Sequence, residues 1–204
     1  MWRVPALAAL APILAACAAL SSTPQVVPTR AADFKPSEIR QPIVFVQMSF
    51  GPGEYTDEER KSMPQEYEGA LLEELNAQAV LTREVRVSIA PRNAKRDSGP
   101  ALARARELGA DHAIFVEVRV IRGPLQFCQG TRRQFQALAT LWGQTAEVVR
   151  ASDGVVRLRI APGPTMAVFD LDADCENPRE SRRRTTTEAL AESVKRLLRR
   201  LLGS

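Results

Sequence analysis

The hydrophobic pattern changes period along this chain, and each change predicts an element. Residues 43–50, IVFVQMSF, are a continuous apolar run that becomes alternating, as a buried central strand requires. Residues 83–90, REVRVSIA, alternate with Val85, Val87 and Ile89 on one side and predict a half-buried strand. A third strand is predicted over residues 113–121, AIFVEVRVI. The segments between them have helical spacing. In SMPQEYEGALLEELNAQ, Tyr67, Ala70, Leu71 and Leu75 share one helical face, Ser62 and Gln65 are spaced as a capping box, and the preceding GPGEYTDEERK reads as a loop. In GPALARARELGADH, Pro100 suits the first helical turn, Leu102, Ala105 and Leu108 form the inward stripe, and Gly109 closes the helix in the left-handed conformation.

Beyond residue 130 the pattern is dominated by strands. RQFQALATLWGQTAEVVR and VVRLRIAPGPTMAVFDLD flank Ala151-Ser152-Asp153-Gly154, and Asp-Gly between two such runs signals a hairpin. Gly163-Pro164 predicts a bulge in its second arm. The chain ends in a helix whose Thr185 and Glu188 have capping-box spacing and whose Leu190, Val194, Leu197, Leu198 and Leu201 form one stripe. Two strand–helix alternations followed by antiparallel strands predict an α/β fold with α+β character in its second half. The expected architecture is a mixed sheet of about five strands in the order strand-helix-strand-helix-strand-hairpin-helix, with three main helices, forming one domain over residues 43–204.

The first residues change the picture of where such a domain resides. MWRVPALAALAPILAAC has a basic start at Arg3, an apolar stretch and small residues before Cys17, the layout of an export signal over residues 1–16. Leu14-Ala15-Ala16-Cys17 resembles the lipobox of bacterial lipoproteins, which implies cleavage before Cys17 and acylation of that residue, palmitate included. Several acyl chains on one residue make anchoring effectively permanent. Ala18 follows in place of the aspartate that retains enteric-type lipoproteins in the inner membrane, so the expected address is the outer membrane, facing the periplasm. Residues 17–42 contain four prolines and no sustained period, and read as a lipidated flexible tether.

An oxidising compartment makes Cys128 and Cys175 a candidate disulfide. They lie at nearly equal distances from the turn at residues 152–153, on opposite sides, so a hairpin centred there carries both thiols to its open end. The bridge closes a loop that contributes about 3–4 kcal/mol by restricting the unfolded chain.

Residues 103–121, ARARELGADHAIFVEVRVI, carry a family resemblance: a helix ends in Leu108-Gly109-Ala110-Asp111 and leads straight into a central strand. This resembles the small α/β domain shared by the TolB amino-terminal region, the curli secretion lipoprotein and the lipoprotein activators of penicillin-binding proteins, over about residues 40–202. The chain departs from the curli type, which needs additional long alternating segments to build a membrane barrel, and from the activators, which need a longer tether.

The chemistry-bearing residues are sparse. The single histidine, His112, begins a strand beside Asp111; no nucleophile elbow, phosphate-binding glycine loop or metal-ligand spacing accompanies it. Glu73 and Glu74 are sequence neighbours, which a helix points in different directions. No catalytic residue, cofactor or metal is expected, and the modest net charge of +4 does not indicate nucleic-acid binding. Of three basic clusters, Arg92-Lys95-Arg96, Arg132-Arg133, and Arg182-Arg183-Arg184 with Lys195-Arg196-Arg199-Arg200, the last lies on the polar side of an amphipathic helix, where it offers a surface to anionic lipid or an acidic partner. The expected function is that of a non-enzymatic envelope lipoprotein that binds or helps assemble another envelope protein. The alternative is an auxiliary lipoprotein of an ABC-type lipid or solvent transport system.

Overall fold

Strand β2 (Ile43–Phe50) is the central strand that its apolar run predicts: β3 (Glu84–Ile89) and β4 (His112–Phe127) lie parallel on either side of it. The computed structural model describes residues 29–91 and 97–203. Strand β5 (Phe135–Arg150) runs antiparallel to β4 along its whole length, and β6 (Val156–Ile160) folds back on β5. The turn between β5 and β6 is the predicted one. Gly154 takes φ +75°, Arg150 N–H donates to Val155 O at 2.9 Å, and the Arg150 guanidinium holds Asp153 at 2.5 Å, which keeps that carboxyl at about 2.

Two short strands join these five. The first is β1 (Thr29–Arg30), which pairs with β6; β7 (Ala167–Phe169) pairs with β5 beyond β6. The sheet therefore runs β1-β6-β5-β4-β2-β3, with β7 attached to β5. A separate ribbon pairs β8 (Leu171–Asp172) with β9 (Arg182–Arg183). The second hairpin arm is thus broken where Gly163-Pro164 was expected to bulge, because Pro164–Met166 form a 3-10 turn that drops Met166 into the core.

Helix α1 (Asp57–Ala77) starts five residues earlier than Ser62. Its capping box is Thr56 with Glu59, not Ser62 with Gln65, and part of the expected loop is helix. Three acidic residues, Asp57, Glu58 and Glu59, favour that start by complementing the helix dipole, and Pro64 is accommodated inside the helix. Helix α2 (Gly99–Glu107) and α3 (Thr186–Leu202) match expectation, including Gly109 at φ +64° and the Thr185–Glu188 capping box.

Helices α1 and α3 cover one face of the sheet. Val44, Val46 and Met48 of β2 and Ile114, Val116, Val118 and Val120 of β4 meet Tyr67, Leu71, Leu75, Leu190, Leu197 and Leu198 in the main core. Inside it, Tyr67 Oη donates to Gln144 Oε1 at 2.7 Å, while Gln144 Nε2 donates to Ser193 O at 2.8 Å and to the Ser193 hydroxyl. One buried amide thus ties β5 to both helices, with each polar atom paired as burial demands.

The structure shortens the expected tether. Residues 29–42 pack on the domain: Phe34 and Ile39 are buried, Arg157 reaches Asp33 at 3.0 Å and Glu38 at 3.6 Å, and Asp111 Oδ2 accepts the Arg40 and Gln41 N–H groups at 2.7 and 2.8 Å. The export signal and Cys17 lie outside the described residues.

Candidate functional site

Period-two alternation sends every second side chain of the sheet away from α1 and α3, onto a face that, among the described residues, only α2 covers. The register arranges this face in rows. Nearest α2, Ile43, Ala113 and Val149 are sealed by Ala105 and partly by Leu102 and Leu108. In the next row Arg86, Phe45, Phe115, Glu147 and Arg159 lie side by side, and after it come Ser88, Gln47, Glu117 and Thr145. The rings of Phe45 and Phe115 stack with centroids 5.7 Å apart.

Helix α2 is too short to reach past the second row. Beside its first turn lies a groove of about 250 Å³ lined by Phe45, Arg86, Ser88, Asp97, Pro100 and Arg104. On the other side of that turn a shallower hollow of about 380 Å³ is lined by Ser98, Glu117, Thr145, Glu147, Arg159 and Ala161. Together they form an apolar floor flanked by fixed charges. Glu84 is bonded to Arg86 and, at 3.0 Å, to Arg104. Burial disfavours its ionised form, but the bonds from Arg104 and Arg86 prevail and hold its carboxyl below the usual range. Glu147 and Arg159 pair at 2.8 Å. Such a face is suited to docking a protein segment: stacked rings to cover, and charges of both signs held in place around them.

The His112–Asp111 pair belongs to the architecture. His112 is buried, its Nδ1 lies 3.2 Å from Asp111 Oδ1, and its ring meets the edge of Phe34 at 6.4 Å. Burial disfavours ionised Asp111, yet its bonds to His112 and to the Gln41 and Arg40 N–H groups lower its pKa. Glu73 is exposed, and Glu74 accepts a bond from Gln78 at 3.1 Å. Among the described residues no group of three His, Cys, Asp or Glu side chains is placed to hold a metal, and no helix is long and apolar enough to cross a membrane.

The seven basic residues expected to form one surface are divided. Arg182, Arg183 and Arg184 precede α3 and pair with Glu188 at 2.6 Å, Asp170 at 3.5 Å and Asp172 at 3.0 Å. Arg196 pairs with Glu192 at 2.7 Å and donates to Ala167 O at 2.9 Å. Lys195 is exposed midway along α3, and Arg199 and Arg200 are exposed near its opposite end, about 20 Å from its start at 1.5 Å per residue. Arg132 and Arg133 are exposed at the tip of the β4–β5 hairpin, and Arg92, Lys95 and Arg96 lie outside the described residues.

Cys128 and Cys175 are bonded, with Cα atoms 5.4 Å apart. Their route differs from the expected one. The β4–β5 register brings Cys128 past Phe127 and Phe135, and the β7–β5 register carries the chain after Phe169 to the same end of β5. Cys128 arrives from one side of β5 and Cys175 from the other. The β4–β5 hairpin was missed because β4 runs six residues past Ile121; Gly130, at φ +79° in its turn, is the sequence signal that marks it.

No family model and no curated protein matches the chain. Solved structures similar to it include the PelC dodecamer from Paraburkholderia phytofirmans, 16% identical with a TM-score of 0.42, covering 86% of this chain and 95% of that one. The LpoB C-terminal domain from Salmonella enterica is 13% identical with a TM-score of 0.33, covering 68% and 87%. Lipoprotein GNA1162 from Neisseria meningitidis is 10% identical with a TM-score of 0.35, covering 80% and 99%. At these scores the likenesses carry no functional argument.

Proposed function

We propose that this chain is a non-enzymatic lipoprotein of the outer membrane, acylated at Cys17 and facing the periplasm, that holds another envelope protein on the open face of its sheet. The observation that carries this reading is the unequal covering of the two faces. Helices α1 and α3 bury the β2, β4 and β5 residues at the centre of one face, while among the described residues the Phe45–Phe115 row and the Gln47–Glu117–Thr145 row are left beside the short α2. Cys17 supports the address, and the Cys128–Cys175 bond fits an oxidising compartment.

The test places a photo-crosslinking residue at Gln47 or Glu117 in the full chain, in intact envelopes, with Glu73 on α1 as the control position. One discrete protein adduct from the sheet positions, lost when Glu117→Lys is added to the Gln47 probe, supports the reading. Adducts from Glu73 alone, or none, overturn it. Recovery of bound lipid in place of protein from the groove favours the transport-auxiliary alternative. Cys17→Ser should abolish palmitate labelling and release the chain from the membrane pellet; unchanged fractionation contradicts the anchor.

A further inference from the structure

Among the described residues, β3 is the last strand of the sheet beyond β2 and its outer edge is unpaired. We infer that the free edge of β3 pairs with β3 of a second copy of this chain, antiparallel, continuing one sheet across a two-fold axis.

The argument begins with the backbone. Ala90 N–H donates to Met48 O at 2.9 Å, and Ser88 stands opposite Gln47 in the parallel ladder. Along a strand the peptide groups alternate sides, so the even-numbered residues of β3 bond to β2 while the N–H and C=O groups of Val85, Val87 and Ile89 face outward. β3 is terminal in the strand order, and among the described residues no strand pairs with this side.

Natural sheet edges are shielded by lysine, proline, bulges or extreme shortness. The opposite edge of this sheet shows one of these devices, since β1 is two residues long. Residues 84–89, EVRVSI, run for six residues with no lysine, proline or bulge. Apolar side chains also collect here. Ile89 is 53% exposed and Leu81, just before the strand, is 67% exposed; Leu72, on the helix that packs against β3, is exposed as well.

Self-complementarity identifies the occupant. Centred on Val87, the two strands overlap fully, with Val87 opposite its own copy and Val85 opposite Ile89, giving one apolar row on the α1 side. Arg86 then faces Ser88, and no like charges stand directly opposite. Centring on Arg86 would set guanidinium against guanidinium, and centring on Ser88 would bring Pro91, which has no N–H, opposite Val85. A six-residue pairing is smaller than the roughly 1,200–2,000 Å² of a standard stable interface. The association is accordingly weak in dilute solution and is favoured where both copies share one membrane, a clause that rests on the proposed anchor.

The test is oxidative crosslinking of the full chain carrying Val87→Cys, in membranes and in detergent, read on non-reducing gels. A reducible band at twice the chain mass is expected, falling at least tenfold when Ile89→Lys is added, and at least fivefold weaker for Arg86→Cys alone. Sedimentation of the unsubstituted chain in detergent at high protein concentration, with and without Ile89→Lys, gives a readout independent of the new cysteine: a shift to monomer is expected. Monomer throughout, a band of any other mass that signals a different partner strand, or indifference to Ile89→Lys overturns the proposal. The Val87 and Ile89 positions lie on the α1 side of the edge rather than on the open face, so their outcome is separable from that of the Gln47 and Glu117 probes.

Discussion

The two faces of the sheet are built from the same strands, yet they are finished differently. On the α1–α3 face, Val44, Val46, Met48, Ile114, Val116 and Val118 are each 1% exposed or less, and the buried Gln144 has polar partners on both helices. On the α2 face, burial ends at Phe115 in the second row, and Glu117 and Arg119 beyond it are exposed. The difference teaches that stability is concentrated on one side of the sheet, leaving the other free to be selected for what it touches.

The largest effect that tests this contrast is expected at Leu198. Leu198→Ala removes a fully buried side chain from the covered face and should destabilise by about 2–5 kcal/mol in urea unfolding. A change near zero would mean that α3 does not seal the core. Next is Tyr67→Phe, which leaves Gln144 Oε1 without its donor and should lower stability by about 1–2 kcal/mol. A neutral result would mean that the amide finds another partner in a looser core.

A smaller effect belongs to the rim. Arg122 holds Glu59 at 2.7 Å, and its hydrogen bonds lower the carboxyl from 4.5 to about 2. A depressed carboxylate stabilises the fold above its ordinary value and loses that contribution as pH falls from 4.5 toward 2. Arg122→Gln should flatten the acid limb of the stability profile in that window, by no more than about 1 kcal/mol for a partly exposed pair. An unchanged limb would remove the pair from the acid response. The smallest effect on stability is expected from Glu117→Lys on the open face, within about 0.5 kcal/mol, while the Gln47 crosslink disappears. Destabilisation comparable to Leu198→Ala would show that both faces serve the fold and would break the comparison.

Much of this fold was legible because its elements are coded locally. Thr185 and Glu188 cap α3, Asp153-Gly154 turns β5 into β6, and Gly109 ends the α2 segment because a positive φ suits glycine best. The Cys128–Cys175 bond was anticipated from distances along the chain, although the chain reaches it by another path. The candidate site was not legible. Phe45, Gln47, Phe115 and Glu117 are ordinary alternating strand residues, and nothing in their spacing states that α2 covers Phe115 but ends before Gln47 and Glu117. The basic residues are divided for a similar reason: Asp170 and Asp172, which pair with Arg183 and Arg184, approach only when β8 and β9 meet.

The sequence by itself determined the helices, the strands, the apolar stripe of α3 and the capped ends, since these follow from interactions spanning at most a few residues. Tertiary structure alone decided that residues 29–42 are strapped to the domain by Arg157 and Asp111 and that, among the described residues, α2 covers only part of one sheet face and β3 ends the sheet. Those outcomes depend on which distant surfaces compete for the same burial, and that competition is resolved only when the whole chain is packed.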